Sequence, residues 1–289
     1  MINAFLFPGQ GSQTVGMGRD IYETISSARS LLNEACDILG FDLKQIMFEG
    51  PMEKLTDTKI TQPAIYTCSA MYLEKARQEG LEYMYAAGHS LGEYNALYAA
   101  GVFGFSDGLK LVDARAHAMA AENGKGTKIA VLGLEEEELL PYLASEPGVV
   151  IACLNTKTQI VLSGTIDGIE RVGKNLDDQG IRVRKLNVSA AFHSPQMEKA
   201  AGVMRDRFEN QTFHDPRCWV VSNVTGKPTK SSMELKSNLI DHMTGQVHWY
   251  ESILSMENAG VEQFYECGNG SILRRMNDAI TTQTKCLSV

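Results

Sequence analysis

The sequence has few of the features that mark a nucleic-acid-binding or membrane protein. Its 27 Lys and Arg against 35 Asp and Glu give a net charge of −8, and no run of five or more basic residues occurs. A chain of this sign repels a phosphate backbone, so we expect no nucleic-acid partner. No apolar stretch approaches the ~18 residues that a membrane-spanning helix needs. We therefore expect a globular protein with no membrane segment.

The patterns that indicate a metal or a nucleotide are also missing. The six cysteines are scattered, without a Cys-x-x-Cys pair or a histidine at metal-binding spacing. This favours free thiols in a cytoplasmic protein and no metal site. The glycine-rich loop at residues 8–13 lacks both the third glycine of a dinucleotide loop and the Gly-Lys-Ser/Thr of a P-loop. We predict no cofactor and expect this loop to bring Gln10 close to a reacting atom.

The chain does contain a Gly-x-Ser-x-Gly pattern, in Ala-Gly-His-Ser-Leu-Gly-Glu-Tyr at residues 87–94. In serine hydrolases and acyltransferases this pattern forms a sharp strand-to-helix turn that exposes the serine. Gly88 and Gly92 would let the backbone pack closely on either side of Ser90. The Leu91 N–H, at the start of the helix, would point toward the same position as the serine hydroxyl. An ordinary glycine-rich turn is the alternative interpretation.

A nucleophilic serine needs a base, and the best-placed of the six histidines is His193. It lies in Ala-Phe-His-Ser-Pro at residues 191–195, where a loop meets a helix and can direct a side chain across a cleft. His89, next to Ser90, is predicted to pack inside the turn. No carboxylate follows His193 in an obvious position, so we expect a backbone carbonyl to orient its imidazole. Arg115 has two interpretations: a solvated helix charge, or a cleft residue that binds a carboxylate with its planar fork.

The order of the segments predicts an α/β protein in two parts. Apolar strands alternate with helices along most of the chain, whereas residues 126–189 follow the order βαββαβ. That order predicts a ferredoxin-like subdomain at 126–189 inserted in a larger α/β domain made of 1–125 and 190–289.

Together these segments resemble the malonyl-CoA:acyl-carrier-protein transacylase family over nearly the full length of the chain. The resemblance rests on Phe7-Pro8-Gly9-Gln10-Gly11-Ser12-Gln13, Thr61-Gln62-Pro63-Ala64, residues 88–94, Arg115, residues 191–195 and Val221-Ser222-Asn223-Val224-Thr225-Gly226-Lys227-Pro228. It implies an α/β-hydrolase-like domain with an inserted ferredoxin-like subdomain. It also implies transfer of a malonyl or substituted malonyl group from malonyl-CoA or a related acyl-CoA to the phosphopantetheine thiol of an acyl carrier protein, in fatty-acid or polyketide synthesis. We expect a monomer.

The resemblance also implies roles for single residues. Ser90 would be the acylated nucleophile and His193 its base, with the N–H groups of Gln10 and Leu91 forming the oxyanion hole. Arg115 would bind the malonyl carboxylate.

Three further positions bear on the resemblance. Phe192 is similar to members that prefer malonyl. The carbonyl that orients the histidine would belong to His248, just before Trp249. Lys128 departs from the small or thioether residue that is usual at its position.

Two other functions fit parts of the sequence. Some similar proteins hydrolyse acyl groups on carrier proteins, but they tend to lack the carboxylate-binding arginine. A non-catalytic docking protein would keep a basic rim of Arg182, Arg184, Lys185, Arg274 and Arg275. It would have no reason to keep Ser90, His193 and the Gln10 loop together.

Overall fold

Strands and helices alternate along the chain, as the apolar pattern predicts. The computed structural model describes residues 1–188 and 190–289. The strands are β1 (Asn3–Phe7), β2 (Tyr85–Gly88), β3 (Thr127–Leu132), β4 (Val149–Thr156), β5 (Gln159–Gly164), β6 (Arg182–Lys185), β7 (Trp219–Val221), β8 (Pro228–Thr229), β9 (Val247–His248), β10 (Gln263–Glu266) and β11 (Lys285–Ser288). The helices are α1 (Arg19–Thr24), α2 (Ser26–Leu39), α3 (Leu43–Glu49), α4 (Met52–Thr56), α5 (Thr58–Gln78), α6 (Gly92–Ala100), α7 (Phe105–Ala120), α8 (Glu136–Leu143), α9 (Ile166–Asp178), α10 (Glu198–Glu209), α11 (Ser232–Asp241), α12 (Trp249–Asn258) and α13 (Ile272–Ile280), with a short 3₁₀ turn at Pro195–Met197.

The larger sheet is parallel except at one edge and is buried on both faces. Its strand order is β11-β10-β1-β2-β7-β8, and only the β7–β8 pair is antiparallel. Along β1, Phe5 and Phe7 pack into one hydrophobic cluster, whereas Ala4 and Leu6 pack into another on the opposite face. A strand covered by helices on both sides needs apolar residues at every position, which explains the uninterrupted run in β1.

The ends of β1 and β2 bring two separate segments of the chain together. The strands are parallel neighbours, with Phe7 opposite Gly88. The loop that contains Gln10 and the turn that contains Ser90 therefore leave the same edge of the sheet. The carboxyl edge of a parallel sheet is where α/β proteins bind their ligands.

The smaller sheet has the strand order β6-β3-β5-β4-β9. The first four strands are antiparallel, and α8 and α9 cover one face around Ile129, Val131 and Leu162. The fifth strand, β9, comes from outside residues 126–189 and pairs in parallel with β4. The segment predicted as a subdomain therefore shares its sheet with a strand from the carboxyl-terminal part of the chain. Its predicted last residue, Ser189, lies outside the described residues.

Local contacts set the bounds of two helices. The extended backbone of Ile25 separates α1 from α2. The Asp57 side chain accepts a 3.0 Å hydrogen bond from the Lys59 N–H and caps α5, which begins at Thr58. In the described part of the chain, no helix is long and apolar enough to cross a membrane.

Candidate active site

Ser90 lies on a strained turn between β2 and α6, as the Gly-x-Ser-x-Gly pattern predicts. Its φ of 52° falls in the left-handed region, which side chains other than glycine rarely adopt. A Cβ on Gly88 would overlap the backbone of Gly92, and a Cβ on Gly92 would overlap the Phe7 carbonyl. Both glycines are therefore required for the close packing of this turn on β1.

Asn223, in the loop between β7 and β8, fastens the turn from the neighbouring strand. Its Oδ1 accepts a 2.7 Å hydrogen bond from the Ser90 N–H, and its Nδ2 donates a 2.7 Å bond to the Gly88 carbonyl. Asn223 is fully buried. The sequence analysis noted it only inside a longer motif, and no local pattern showed that its amide would reach Ser90.

His193 reaches Ser90 from a distant part of the chain. Its Nε2 lies 2.7 Å from the Ser90 Oγ, and its φ of 62° is also in the left-handed region. Among the described residues, these two are the non-glycine residues with positive φ. Strained backbone of this kind concentrates at functional sites, where the surrounding structure maintains it.

The imidazole of His193 is buried and neutral. Burial, followed by the charge of Lys128, the His242 ring and the charge of Arg115, lowers the pKa of His193 well below its usual value. The Nδ1–H of His193 donates to a backbone carbonyl, so the Nε2 of the same ring is free to accept the proton of the Ser90 hydroxyl. A hydroxyl and a neutral imidazole at hydrogen-bond distance can act as a nucleophile and its general base.

The carbonyl that orients His193 belongs to His242 and not, as predicted, to His248. His193 Nδ1 lies 3.0 Å from the His242 oxygen, and the two imidazole rings stack 4.9 Å apart. His242 ends α11, where the last carbonyls of a helix have no partner within it and can accept from outside. His248 instead lies just before the first turn of α12, where its carbonyl accepts a 2.6 Å hydrogen bond from the Ser252 hydroxyl.

A buried carboxyl group lies behind His242. Glu93 Oε2 is 3.2 Å from His242 Nδ1 and 3.3 Å from the Asn223 N–H, and all three residues are fully buried or nearly so. Burial raises the pKa of Glu93 to about 8 and lowers the pKa of His242 well below its usual value. The uncharged pair is therefore favoured at neutral pH, with the proton on Glu93. This pair connects the helix after Ser90 with the loop that orients His193, and sequence reasoning missed it.

Arg115 is a cleft residue, not a solvated helix charge. Only 1% of it is exposed, although it lies on the amphipathic helix α7. Its Nη1 donates to Gln62 Oε1 at 2.6 Å and its Nη2 to Ser90 Oγ at 3.3 Å. Within the described residues no carboxylate lies within ion-pair distance of it, and its Nε has no hydrogen-bond partner. A buried guanidinium without an anion is suited to bind one.

Ser90 lines a cavity of about 220 Å³. The other predicted residues Gln10, Leu91 and Phe192 line the same cavity, so the structure brings all four together. The N–H groups of Gln10 and Leu91 donate to no protein acceptor in the described ranges, which leaves them available to an oxygen bound beside Ser90.

His89 lines the same cavity, although it was predicted only to pack the turn. Its Nε2 is 2.8 Å from Asn155 Oδ1, and its ring lies 5.5 Å from that of Trp249. Burial lowers the pKa of His89 to about 4, so the ring is neutral. The packing role and the place in the cavity wall are compatible. In the part of the chain that the structure describes, no group of side chains is arranged to hold a metal ion.

Comparison with known proteins gives a consistent assignment. Residues 4–266 match the family model described as acyl transferase domain. The chain is 38% identical to a malonyl CoA-acyl carrier protein transacylase of Synechocystis sp., over 94% of this chain and 92% of that protein. It is also 38% identical to the polyketide biosynthesis malonyl CoA-acyl carrier protein transacylase PksC of Bacillus subtilis, over 93% of each chain.

A solved structure extends the similarity to three dimensions. A malonyl-transacylase in complex with its type II polyketide synthase acyl-carrier protein superposes with a TM-score of 0.96 and 31% identity, covering 100% of this chain and 96% of that one. The family model covers most of the chain, and the curated relatives match it almost end to end. The chain is therefore a member of the acyl transferase domain family.

Proposed function

We propose that this protein transfers a malonyl group from malonyl-CoA to the phosphopantetheine thiol of an acyl carrier protein, through an ester on Ser90. The observation that carries the proposal is the meeting of Ser90, His193 and Arg115 around one cavity, in a chain of the acyl transferase family. The relatives named above are both called malonyl CoA-acyl carrier protein transacylases, one of them of polyketide biosynthesis, and these names agree with this reaction.

The first half-reaction loads the enzyme. The Ser90 oxygen attacks the thioester carbonyl while His193 Nε2 takes the hydroxyl proton. The N–H groups of Gln10 and Leu91 stabilise the resulting oxyanion. The C–S bond then breaks, and the CoA thiolate leaves with the proton from His193. The His242 carbonyl, at the C-terminus of α11, keeps the ring in place and stabilises its charged form.

The second half-reaction transfers the malonyl group from Ser90 to the carrier protein. The carrier thiol gives its proton to His193 and attacks the ester carbonyl, and the Ser90 oxygen leaves with that proton. After a full cycle, Ser90 and His193 have returned to their starting protonation states. The acyl carrier protein bound to the malonyl-transacylase that superposes on this chain supports such a partner.

Arg115 selects the acyl group in this proposal. Its planar fork can bind both oxygens of the distal carboxylate, which acetyl and other simple acyl groups lack. Phe192, 5% exposed and in the cavity wall, limits the space beside the acyl chain. A buried cation that has no protein anion is also the feature that argues against a general acyl-thioester hydrolase.

We further propose the finer description of the fold. The parallel sheet with its serine turn supports an α/β-hydrolase-like domain made of residues 1–125 and 190–289. The order β6-β3-β5-β4 with helices on one face supports a ferredoxin-like subdomain at 126–189. All six cysteines are free, and five of them are buried, which supports a cytoplasmic location.

Intact-mass measurement tests the proposed reaction. The wild-type protein incubated with malonyl-CoA should gain one malonyl group and lose it when a carrier protein with a phosphopantetheine arm is added. Ser90→Ala should gain none, whereas Ser30→Ala, which changes an exposed serine on α2, should load normally. Release of CoA with no adduct and no acylated carrier would identify a hydrolase and refute the proposal.

A further inference from the structure

The cavity contains a second buried cation, Lys128, that the proposed reaction does not use. Only 7% of Lys128 is exposed, and it lines the same cavity as Arg115. Within the described ranges, no carboxylate lies within ion-pair distance of either cation. Burying a charge without a partner destabilises the fold, so two such cations around one cavity indicate that the cavity receives oxygen-rich ligands.

The position of Lys128 is set by the alternation of β3. Ile129 and Val131 face the covered side of the small sheet, so Lys128 and Ala130 face the other side, toward the cavity. β3 lies inside the sheet, paired with both β5 and β6. The backbone of Lys128 is therefore held on both sides, and its ammonium cannot leave the cavity by a shift of the strand.

The surroundings of the ammonium give it almost no polar partner. Its contact in the described structure is with Cys153 Sγ, at 3.9 Å. Burial raises the pKa of the Cys153 thiol, so this sulfur is uncharged and only a weak acceptor. Ala130 and Val161, which line the cavity beside it, offer no side-chain oxygen. An ammonium has three donors, and at least two remain for a ligand.

Lys128 is also close enough to the reacting atoms to influence them. After burial, its charge is the largest cause of the lowered pKa of His193. It likewise lowers the pKa of His89 and His242. The ammonium therefore lies in the electrostatic environment of His193, in the wall of the same cavity.

We propose that Lys128 forms a second polar subsite for the acyl group and donates hydrogen bonds to an oxygen of that group. This inference rests on the proposed malonyl transfer. The oxygen has two possible sources: the distal carboxylate itself, or a hydroxyl substituent on the carbon between the two carbonyl groups. A methyl substituent at that carbon would cover the ammonium without accepting a hydrogen bond, so the subsite disfavours alkyl-substituted units.

The test compares Lys128→Met with Lys125→Met, which removes a lysine three residues away that is 54% exposed and paired with Glu122. Loading rates are measured by intact mass for malonyl-, hydroxymalonyl-, methylmalonyl- and acetyl-CoA. In Lys128→Met the methylmalonyl to malonyl ratio should rise at least tenfold, and Lys125→Met should match the wild type. Acetyl loading and the melting temperature report on the fold, and Lys128→Gln serves as a second variant if the methionine does not fold.

The pattern of losses identifies the oxygen. If the malonyl to acetyl ratio falls at least tenfold, Lys128 binds the distal carboxylate. If only the hydroxymalonyl to malonyl ratio falls, it binds the substituent. Ratios within twofold of wild type in a folded variant would overturn the subsite while leaving malonyl transfer intact. Failure of the wild type to load any malonyl would instead refute the proposed function.

Discussion

Replacing Arg115 by methionine should strongly reduce malonyl loading while changing the stability of the fold only slightly. The guanidinium is 1% exposed, donates to Gln62 at 2.6 Å and to Ser90 at 3.3 Å, and has no carboxylate partner in the described structure. Methionine keeps most of the side-chain length and removes the charge. If the malonyl carboxylate binds there, Arg115→Met leaves that carboxylate buried without its partner.

The size of the effect follows from this burial. Losing one member of a buried, hydrogen-bonded charge pair costs about 2–5 kcal/mol. At about 1.4 kcal/mol for each factor of ten, malonyl loading should fall about 30- to 4,000-fold. Acetyl loading has no carboxylate to lose and should stay the same or increase.

Stability should change much less than activity. Removing an uncompensated buried cation favours the folded state, because its desolvation is no longer required. The Gln62 oxygen then lacks a partner, which costs about 1–3 kcal/mol. The two effects oppose each other, so we expect the free energy of unfolding to change by no more than about 2 kcal/mol.

Stopped reactions analysed by intact mass give the malonyl and acetyl rates for wild type, Arg115→Met and Lys110→Met. Lys110 is exposed on the same helix, so its variant controls for a change in α7. Chemical denaturation measures stability in parallel. An unchanged malonyl to acetyl ratio in a folded Arg115→Met would refute carboxylate selection by this residue.

Three further predictions concern the histidines and their partner. His248→Gln should keep most of the loading activity, because it changes a ring that lies 3.6 Å from Glu251 and does not line the cavity at Ser90; a loss as large as that of an inactivated base would show that the His248 imidazole takes part in the reaction. Glu93→Gln copies the uncharged carboxyl and should load malonyl within about threefold of wild type, whereas Glu93→Ala leaves the His242 ring without its partner and should lower stability by about 1–3 kcal/mol in denaturant titrations. Because the pKa of His89 is lowered from 6.5 to about 4, the unfolded chain binds a proton there that the folded chain does not, and stability should fall by about 1.4 kcal/mol per pH unit for this group as the pH drops from 6.5 to 4. The raised pKa of Glu93 acts in the opposite direction between pH 4.5 and about 8. Comparing the free energies of unfolding of wild type and His89→Gln at pH 7, 6 and 5 therefore isolates the His89 contribution. Equal slopes of stability against pH in the two proteins would contradict it.

Local pattern was sufficient to predict the elements that carry the chemistry. Gly88 and Gly92 around Ser90 indicated a strand–turn–helix, since only glycine tolerates the backbone contacts that such a turn makes. The uninterrupted apolar run of β1 indicated a strand. The family membership inferred from the motifs is confirmed by the match of residues 4–266 to the acyl transferase model. These features depend on neighbours in sequence, so one stretch of chain contains the information.

Contacts between distant segments were decided only by the tertiary structure. His193 and His242 are 49 residues apart, and the carbonyl was misassigned to His248 because sequence does not show which helix end faces the base. The Glu93–His242 pair remained hidden for the same reason.

The burial of the cavity residues could likewise not be predicted from the sequence. Arg115 and Lys128 look like ordinary solvated charges on an amphipathic helix and a strand, yet both are buried around the cavity at Ser90. Whether a charge is solvated depends on what packs around it: Arg115 is held between Gln62 and Ser90, and Lys128 lies against Cys153 of the small sheet. The sequence by itself determined the turn that presents Ser90, whereas the packing of distant segments determined which charges line the cavity beside it.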